Sequence, residues 1–490
     1  MIRPVALMPS ILAVFLGALA YHYSLGEHSY WPLIWLAPLP LCVYALEASA
    51  RGTLAAAFGA FFLGSSAWLA GSSFPPDLLK ILLWGNFLSA VAFSLSLALF
   101  RYTARHLAGW AAGFVFAFAW TSYEFVGSLF SRGGTIASLA YTQTTNLPII
   151  QVASITGIWG VTFLLCLIPT GIAVAWSNRR NPRACRQALW PPLVFLSAFL
   201  LFGACRLYAP EPGSSVKVGI AAEPMTLKQM VTLRSGRDSR LAIDLLAAYI
   251  RNIGSLAQAG ARVVLLPEKI SPAEGHYDFL HPLGLVAHLE KVHLVVGMTR
   301  QVGPDQFNSA FVFSPEGKML PTYDKQHLLP PYESQYTPGS NPVIVATPSQ
   351  GFWGVAICKD MDFVEPSMEY SRQGVQLLLV PALDFHDDAW SHGRVAIMRG
   401  VEGNFAVARA GQWGLLTLSD SRGRIIAMKS TDANPGESLL GEVRLGEGKS
   451  VYSRLGNWAG WICILGLALS GFMALRHKFQ HARAPRSRNE

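Results

Sequence analysis

Residues 263–268 read Val263-Val264-Leu265-Leu266-Pro267-Glu268: four apolar residues, a proline, then a carboxylate. Short β-branched and leucine-rich runs that stop at a turn residue predict a buried strand. Glu268 then stands just past the strand's carboxyl end, where open α/β folds gather functional groups. A second stretch, Gly354-Val355-Ala356-Ile357-Cys358, repeats the pattern with a thiol at the end. Further strands are expected at 216–221, 294–298, 311–313, 355–358 and 377–380. Leu241, Leu245, Tyr249, Ile253 and Leu256 share one helical face. Helices are also expected over 366–374 and about 389–409, and hairpin turns at 315–317 and 421–423. Strands alternating with helices predict an α/β domain over 209–455.

The rest of the chain is different in kind. Hydrophobic residues make up 51% of the sequence and charged residues 14%, whereas a soluble domain carries roughly a quarter charged residues. The apolar excess is concentrated in eight runs of about the length needed to cross a bilayer: 5–24, 31–48, 53–71, 80–99, 109–130, 152–176, 189–207 and 457–475. The first also has signal-peptide character, with Ala18-Leu19-Ala20 resembling a cleavage site. This divides the chain into a seven-span domain at 1–208, the α/β domain at 209–455, a C-terminal transmembrane helix at 456–476 and a basic tail at 477–490.

Lysine and arginine in short loops orient such a chain. With the N-terminus inside, the inner flanks hold Arg3, Arg51, Arg101, Arg105, Arg179, Arg180, Arg183, Arg186, Arg476, Lys478, Arg483, Arg486 and Arg488. The outer flanks hold Lys80, Arg132, Arg206 and Arg454. That bias places the α/β domain on the outer face and the tail in the cytoplasm. It also accounts for the net charge of +9. No basic patch with interleaved aromatics points to nucleic acid.

Cys358 is the only cysteine within 209–455, which excludes an internal disulfide or a cysteine-based zinc site there. A thiol, a carboxylate and an ammonium together suit acyl transfer. The carboxylate takes the thiol proton and the ammonium stabilises thiolate and oxyanion. Glu268, Lys325 and Cys358 supply these groups. The same residue types also fill plainer roles: a small buried thiol, a helix cap, a solvated lysine. Glu124, near the outer end of the fifth run, is an ionisable group at membrane depth; an interfacial or helix-paired carboxylate is its plainer reading. His386-Asp387-Asp388 and His392 lack the spacing of a ligand motif, so no metal or cofactor is expected.

The three stretches resemble the nitrilase, or carbon–nitrogen hydrolase, superfamily. Leu266-Pro267-Glu268 is similar to its glutamate motif, Tyr323-Asp324-Lys325-Gln326-His327-Leu328-Leu329-Pro330 to its lysine motif, and 354–358 to its nucleophile motif. The resemblance implies a four-layer α-β-β-α sandwich. The whole chain further resembles the bacterial apolipoprotein N-acyltransferase family, including 120–124, 138–143, 151–154 and 157–161 of the membrane part. This implies that Cys358 takes an acyl chain from a membrane phospholipid as a thioester. Glu268 would act as base and Lys325 as oxyanion support. The acceptor would be the N-terminal amine of a diacylglyceryl-cysteine apolipoprotein, and Glu333 matches an assisting family glutamate. The implied location is a bacterial inner membrane with the catalytic domain extracytoplasmic. A membrane-tethered amidase and a non-catalytic lipid or lipoprotein binder are the alternatives. Family members usually follow the nucleophile with Tyr-Glu; here Lys359-Asp360 follows, which keeps a carboxylate and adds a cation expected to act on the thiol or the acceptor.

Overall fold

In the computed structural model, residues 10–27, 30–107, 109–210, 213–236, 238–271, 278–347, 351–431 and 436–483 are described, the last seven as backbone only. Arg3, Arg486, Arg488 and the start of the first apolar run lie outside them. The chain divides into two compact units. One comprises Met1–Arg132, Ala137–Arg206 and Gly456–Glu490; the other comprises Gly133–Ile136 and Leu207–Leu455.

The first unit is helical. Five of its described helices are long and apolar enough to cross a membrane: Ala50–Leu69, Pro76–Thr103, Ile158–Ser177, Pro182–Tyr208 and Trp458–Arg476. The run expected at 31–48 is broken into Trp31–Ile34 and Leu39–Glu47. Pro38 and Pro40 lie at that break, where a missing backbone N–H and a fixed φ disfavour a continuous helix. The run expected at 152–176 is likewise interrupted at Gly157, whose φ of 64° separates Ala153–Thr156 from Ile158–Ser177. Residues 141–151 include the end of a 3-10 turn, Leu139–Gln143, and the short helix Leu147–Ile150. The last helix is fastened by its tryptophan end. Trp458 Nε1 donates to Ile155 O at 2.8 Å, and Trp159 Nε1 donates to Asn457 Oδ1 at 2.9 Å. Gly460 and Gly466 let it approach the rings of Phe125 and Phe118, the close contact that small residues permit between membrane helices.

The second unit has two six-stranded sheets. The strands are β1 (Ser215–Ala221), β2 (Val263–Leu265), β3 (His293–Val302), β4 (Asp305–Phe313), β5 (Tyr323–Asp324), β6 (Ile344–Thr347), β7 (Gly351–Val355), β8 (Leu377–Leu383), β9 (Ala406–Gln412), β10 (Leu415–Ser419), β11 (Ile425–Ser430) and β12 (Ser438–Arg444). Their orders are β12-β1-β2-β3-β4-β5 and β11-β10-β9-β8-β7-β6. Each sheet has a parallel centre, β1-β2-β3 in one and β7-β8-β9 in the other, flanked by antiparallel strands.

Side-chain alternation builds the layers. Val263 and Leu265 enter a core shared with Val355, Ile357, Leu377, Leu379, Ala406 and Leu416 of the other sheet. Val264 and Leu266 face the opposite way, into a cluster with Leu245, Tyr249, Ile253, Leu283 and Val286. Those last residues belong to the helices Ser239–Gln258 and Leu280–Glu290. Asp238 starts the first helix by accepting from Leu241 N at 2.9 Å. Helix Ala389–Gly403 packs against β9 and β10 beyond the second sheet. The result is a helix-sheet-sheet-helix sandwich. Burying each valine or leucine in these layers is worth about 1.5–3 kcal/mol.

Two boundaries differ from the sequence expectation. The helix expected to reach 409 stops at Gly403, because Asn404 adopts the left-handed cap (φ 58°) and residues from Ala406 on pair as β9. The strand expected over 355–358 stops at Val355, and Cys358 opens a 3-10 turn, Cys358–Asp362.

Gly297 of β3 bears on both fold and site. A Cβ there would lie 2.5 Å from Glu268 Cα and 2.7 Å from Pro267 O. The substitution Gly297→Ala must push the Glu268 backbone aside, since neither contact is a flexible side chain. The expected cost is about 2 kcal/mol of stability, read as a lower unfolding midpoint of the purified chain in detergent, with Cys358 reactivity changed as well.

Candidate active site

Glu268 leaves β2 where the two sheets meet. Gly297 N donates to Pro267 O at 3.0 Å, and Glu268 N donates to Ala382 O of the other sheet at 3.3 Å. Lys325 follows β5, with its N–H donating to Asn308 O at 2.8 Å. Its Nζ reaches Glu268 Oε1 at 3.1 Å and Glu333 Oε2 at 2.9 Å. Glu268, Lys325 and Glu333 are each 2% exposed. The Asn308 amide donates to Oε1 of both glutamates, and Leu329 N donates to Glu333 Oε2 at 2.9 Å. Glu268 Oε2 is buried and, among the described residues, has no hydrogen-bond partner. It is a free acceptor at the site, as is Asn308 Oδ1 among the described residues.

Cys358 is half-buried and holds a φ of 44°. That left-handed conformation is costly for a residue with a side chain and clusters at functional sites. Sγ lies 3.6 Å from Leu383 O. Burial pushes the thiol up to about 12; Glu268 and Asp384 add to the shift, while Lys325 and His392 oppose it. At neutral pH the resting group is then the thiol. A partner must take the proton during reaction, and Glu268 is the carboxylate whose charge the thiol senses most. Burial alone would lower Lys325, but Glu268, Glu333 and Cys358 outweigh it, and the ammonium stays protonated. Burial alone would raise Glu333, but Lys325 and Lys269 hold it far below the usual carboxylate range.

Asp360 is fully buried and does not point at the reacting groups. Tyr323 OH and Ile357 N donate to its Oδ2 at 2.8 and 3.0 Å; Gln326 N and His327 N donate to its Oδ1 at 3.1 and 2.8 Å. It fastens the lysine loop to the nucleophile turn. Lys359 turns toward Asp362 (Nζ to Oδ2, 3.6 Å) and the Phe363 ring at 5.6 Å. The largest charges acting on the thiol are those of Glu268, Lys325, Asp384 and His392. The same turn is held at two further points: Thr135 N and Oγ1 donate to Asp362 O at 2.8 and 2.7 Å, and Arg399 Nε donates to Met361 O at 3.0 Å.

Glu124 belongs to the helical unit. Trp120 Nε1 and Leu139 N donate to its Oε1, both at 2.9 Å, and Ser138 and Thr162 hydroxyls donate to its Oε2 at 2.6 and 2.8 Å. Four donors make it an anchor for the 138–143 segment. Asp384, Asp388 and His392 offer atoms within 4.8 Å of one another, but Asp384 is already paired with Arg409 through both its oxygens. His392 sits between Asp362 (3.4 Å) and Asp388 (3.3 Å). Burial would lower it, but those two carboxylates raise it well above the usual histidine value, favouring the charged imidazolium.

Residues 236–443 match the family model for carbon–nitrogen hydrolase, which defines the class of the α/β domain. Residues 15–171 match the apolipoprotein N-acyltransferase N-terminal domain. The chain belongs to the apolipoprotein N-acyltransferase family. It is 29% identical to the apolipoprotein N-acyltransferase of Geobacter metallireducens over 75% of each chain. It is 23% identical to that of Haemophilus ducreyi over 98% of this chain and 99% of the relative. A solved Nesterenkonia amidase from the nitrilase superfamily is similar at 19% identity and a TM-score of 0.41, over 52% of this chain and 99% of that one.

The Asp360 network sets an expectation. Removing its carboxylate leaves three backbone N–H groups and the Tyr323 hydroxyl without their acceptor. Asp360→Ala should cost about 3 kcal/mol or more, Asp360→Asn less, because one acceptor remains. Thermal unfolding in detergent measures both, and equal stability of wild type and Asp360→Ala would refute the role.

Proposed function

We propose that the chain transfers an acyl chain from a membrane phospholipid, through a thioester on Cys358, to the N-terminal amine of a lipid-modified apolipoprotein. The observation that carries this reading is a conjunction. Lys325 pairs with Glu268, both act electrostatically on Cys358 of the same unit, and the helical unit matches a domain named for apolipoprotein N-acyltransferases.

Cys358 Sγ attacks the ester carbonyl carbon, and its proton passes to Glu268 Oε2. Lys325 supports the oxyanion of the tetrahedral adduct, as preorganised cations do where charge develops. The ester C–O bond then breaks, and the leaving oxygen takes the proton from Glu268, releasing lysophospholipid. The acceptor amine attacks the thioester carbonyl and gives its proton to Glu268. The C–S bond breaks, the amide forms, and the thiolate recovers the proton. Glu333, paired with Lys325, holds that ammonium in place.

Both substrates are membrane-anchored, which suits a catalytic domain at 209–455 joined to spans on either side. The lysine and arginine bias supports placing that domain on the outer face of a bacterial cytoplasmic membrane.

Labelled phospholipid tests the reading. Wild type should carry acyl label on Cys358 as a hydroxylamine-sensitive adduct and pass it to an acceptor amine. Cys358→Ala should retain no label. Mass analysis should then find lipoprotein N-termini one acyl chain short. Hydrolysis of amides with no acyl label retained from phospholipid would instead identify an amidase.

A further inference from the structure

The lysine motif supplies one buried cation, but the cluster contains two. Lys269, directly after Glu268, is 5% exposed and has a left-handed φ of 59°. Its Nζ pairs with Glu333 Oε1, lies 3.4 Å from Glu268 Oε1 and stands 5.1 Å from the Tyr336 ring centroid. Lys325 makes the corresponding pair of contacts, to Glu268 Oε1 and Glu333 Oε2. Two carboxylates and two ammoniums thus form a closed, buried quartet. Its formal charge is zero.

We propose that Lys269 is a positioning residue of the acyl-transfer site: it makes the quartet electroneutral and so keeps Glu268 ionised, ready to take the Cys358 proton. The inference rests on the reading of Glu268 as the base. Without Lys269 the buried cluster would carry one excess negative charge. Burial penalises such a charge, and protonating one carboxylate is the accessible relief. Glu333 would keep Lys325, the Asn308 amide and the Leu329 N–H. Glu268 would keep Lys325 and Asn308 on Oε1 and nothing on Oε2. Glu268 is therefore the group that takes the proton, and a protonated Glu268 cannot accept another from the thiol.

With Lys269 present, proton transfer from Cys358 to Glu268 moves charge within the assembly without changing its total. The other charged groups acting on Cys358, Asp384 and His392 among them, are unaltered by the substitution. Tyr336 offers Lys269 only its ring face.

The test is the pH profile of Cys358 alkylation by iodoacetamide in the full chain, localised by peptide mass analysis because Cys185 and Cys205 are also accessible. No acyl donor is needed. Wild type should show an acid limb that reports ionisation of Glu268. Removing a neighbouring cation favours the protonated carboxylate, so Lys269→Met should move that limb upward by about one pH unit. The rate at pH values below the limb then falls roughly tenfold. Lys269→Arg should restore the limb. Lys269→Met combined with Glu333→Gln, which returns the cluster to neutrality, should bring it back toward wild type even if the single variant folds poorly. A Lys269→Met profile that superimposes on wild type overturns the inference. So does a Lys269→Arg profile that matches Lys269→Met, or a double variant that stays shifted with the single one. A wild-type acid limb that survives Glu268→Gln overturns instead the reading of Glu268 as base.

Discussion

The site depends on burying four charges at once. Each of Glu268, Lys269, Lys325 and Glu333 is at most 5% exposed, and an unpaired ion at such depth is prohibitive. Only a closed set of opposite charges, supplemented by neutral donors such as the Asn308 amide, can be held there. This demand reaches back into the fold. Glu268 and Lys269 come from the end of β2, Lys325 from the end of β5, Asn308 from β4, and Glu333 from the loop that follows the lysine motif. The strand order places β2, β4 and β5 in one sheet, and the thiol arrives from the other. The sandwich is therefore more than a scaffold: its two sheets carry complementary halves of the chemistry.

The nucleophile's half is held differently. Cys358 has no ion-pair partner of its own, and its thiol is pushed away from ionisation by burial and by Glu268. The left-handed backbone at Cys358 is kept by its surroundings. Asp360 ties the turn to the lysine loop, and Thr135 with Arg399 hold its far end. A resting thiol of this kind needs a proton acceptor beside it before it reacts as a nucleophile.

Much of this was legible in the sequence where local patterns carry it. The unbroken apolar run at 263–266 marks a buried strand, and Pro267 after it marks its end. Three motifs lead to Glu268, Lys325 and Cys358. The failures have physical causes. The helix from Ala389 runs without a proline into Asn404, so its end depends on one left-handed residue and on β9 finding a partner strand. Lys269 has no periodic or motif signal, being merely the neighbour of Glu268. Asn308 reads as one polar residue in a strand. The Asp384–Arg409 and His392–Asp362 pairs join positions far apart in sequence, which only the tertiary fold brings together.

The Lys359-Asp360 dipeptide, which replaces the usual Tyr-Glu, is the sequence's clearest departure from its family. Its two members separate on inspection. Asp360 is absorbed into the support of the turn: its oxygens are filled by Tyr323 and by the N–H groups of Ile357, Gln326 and His327. The shorter side chain still spans to the lysine loop because those donors converge on it. Lys359 is neutralised beside Asp362 and lies over Phe363, whose other contact is a 3.8 Å stack with His327. Neither is among the largest charges acting on the thiol, though Asp360 helps to hold Lys325 protonated. The departure therefore falls mainly on how the nucleophile turn is braced, which is compatible with a preserved reaction class in a chain whose local sequence has diverged.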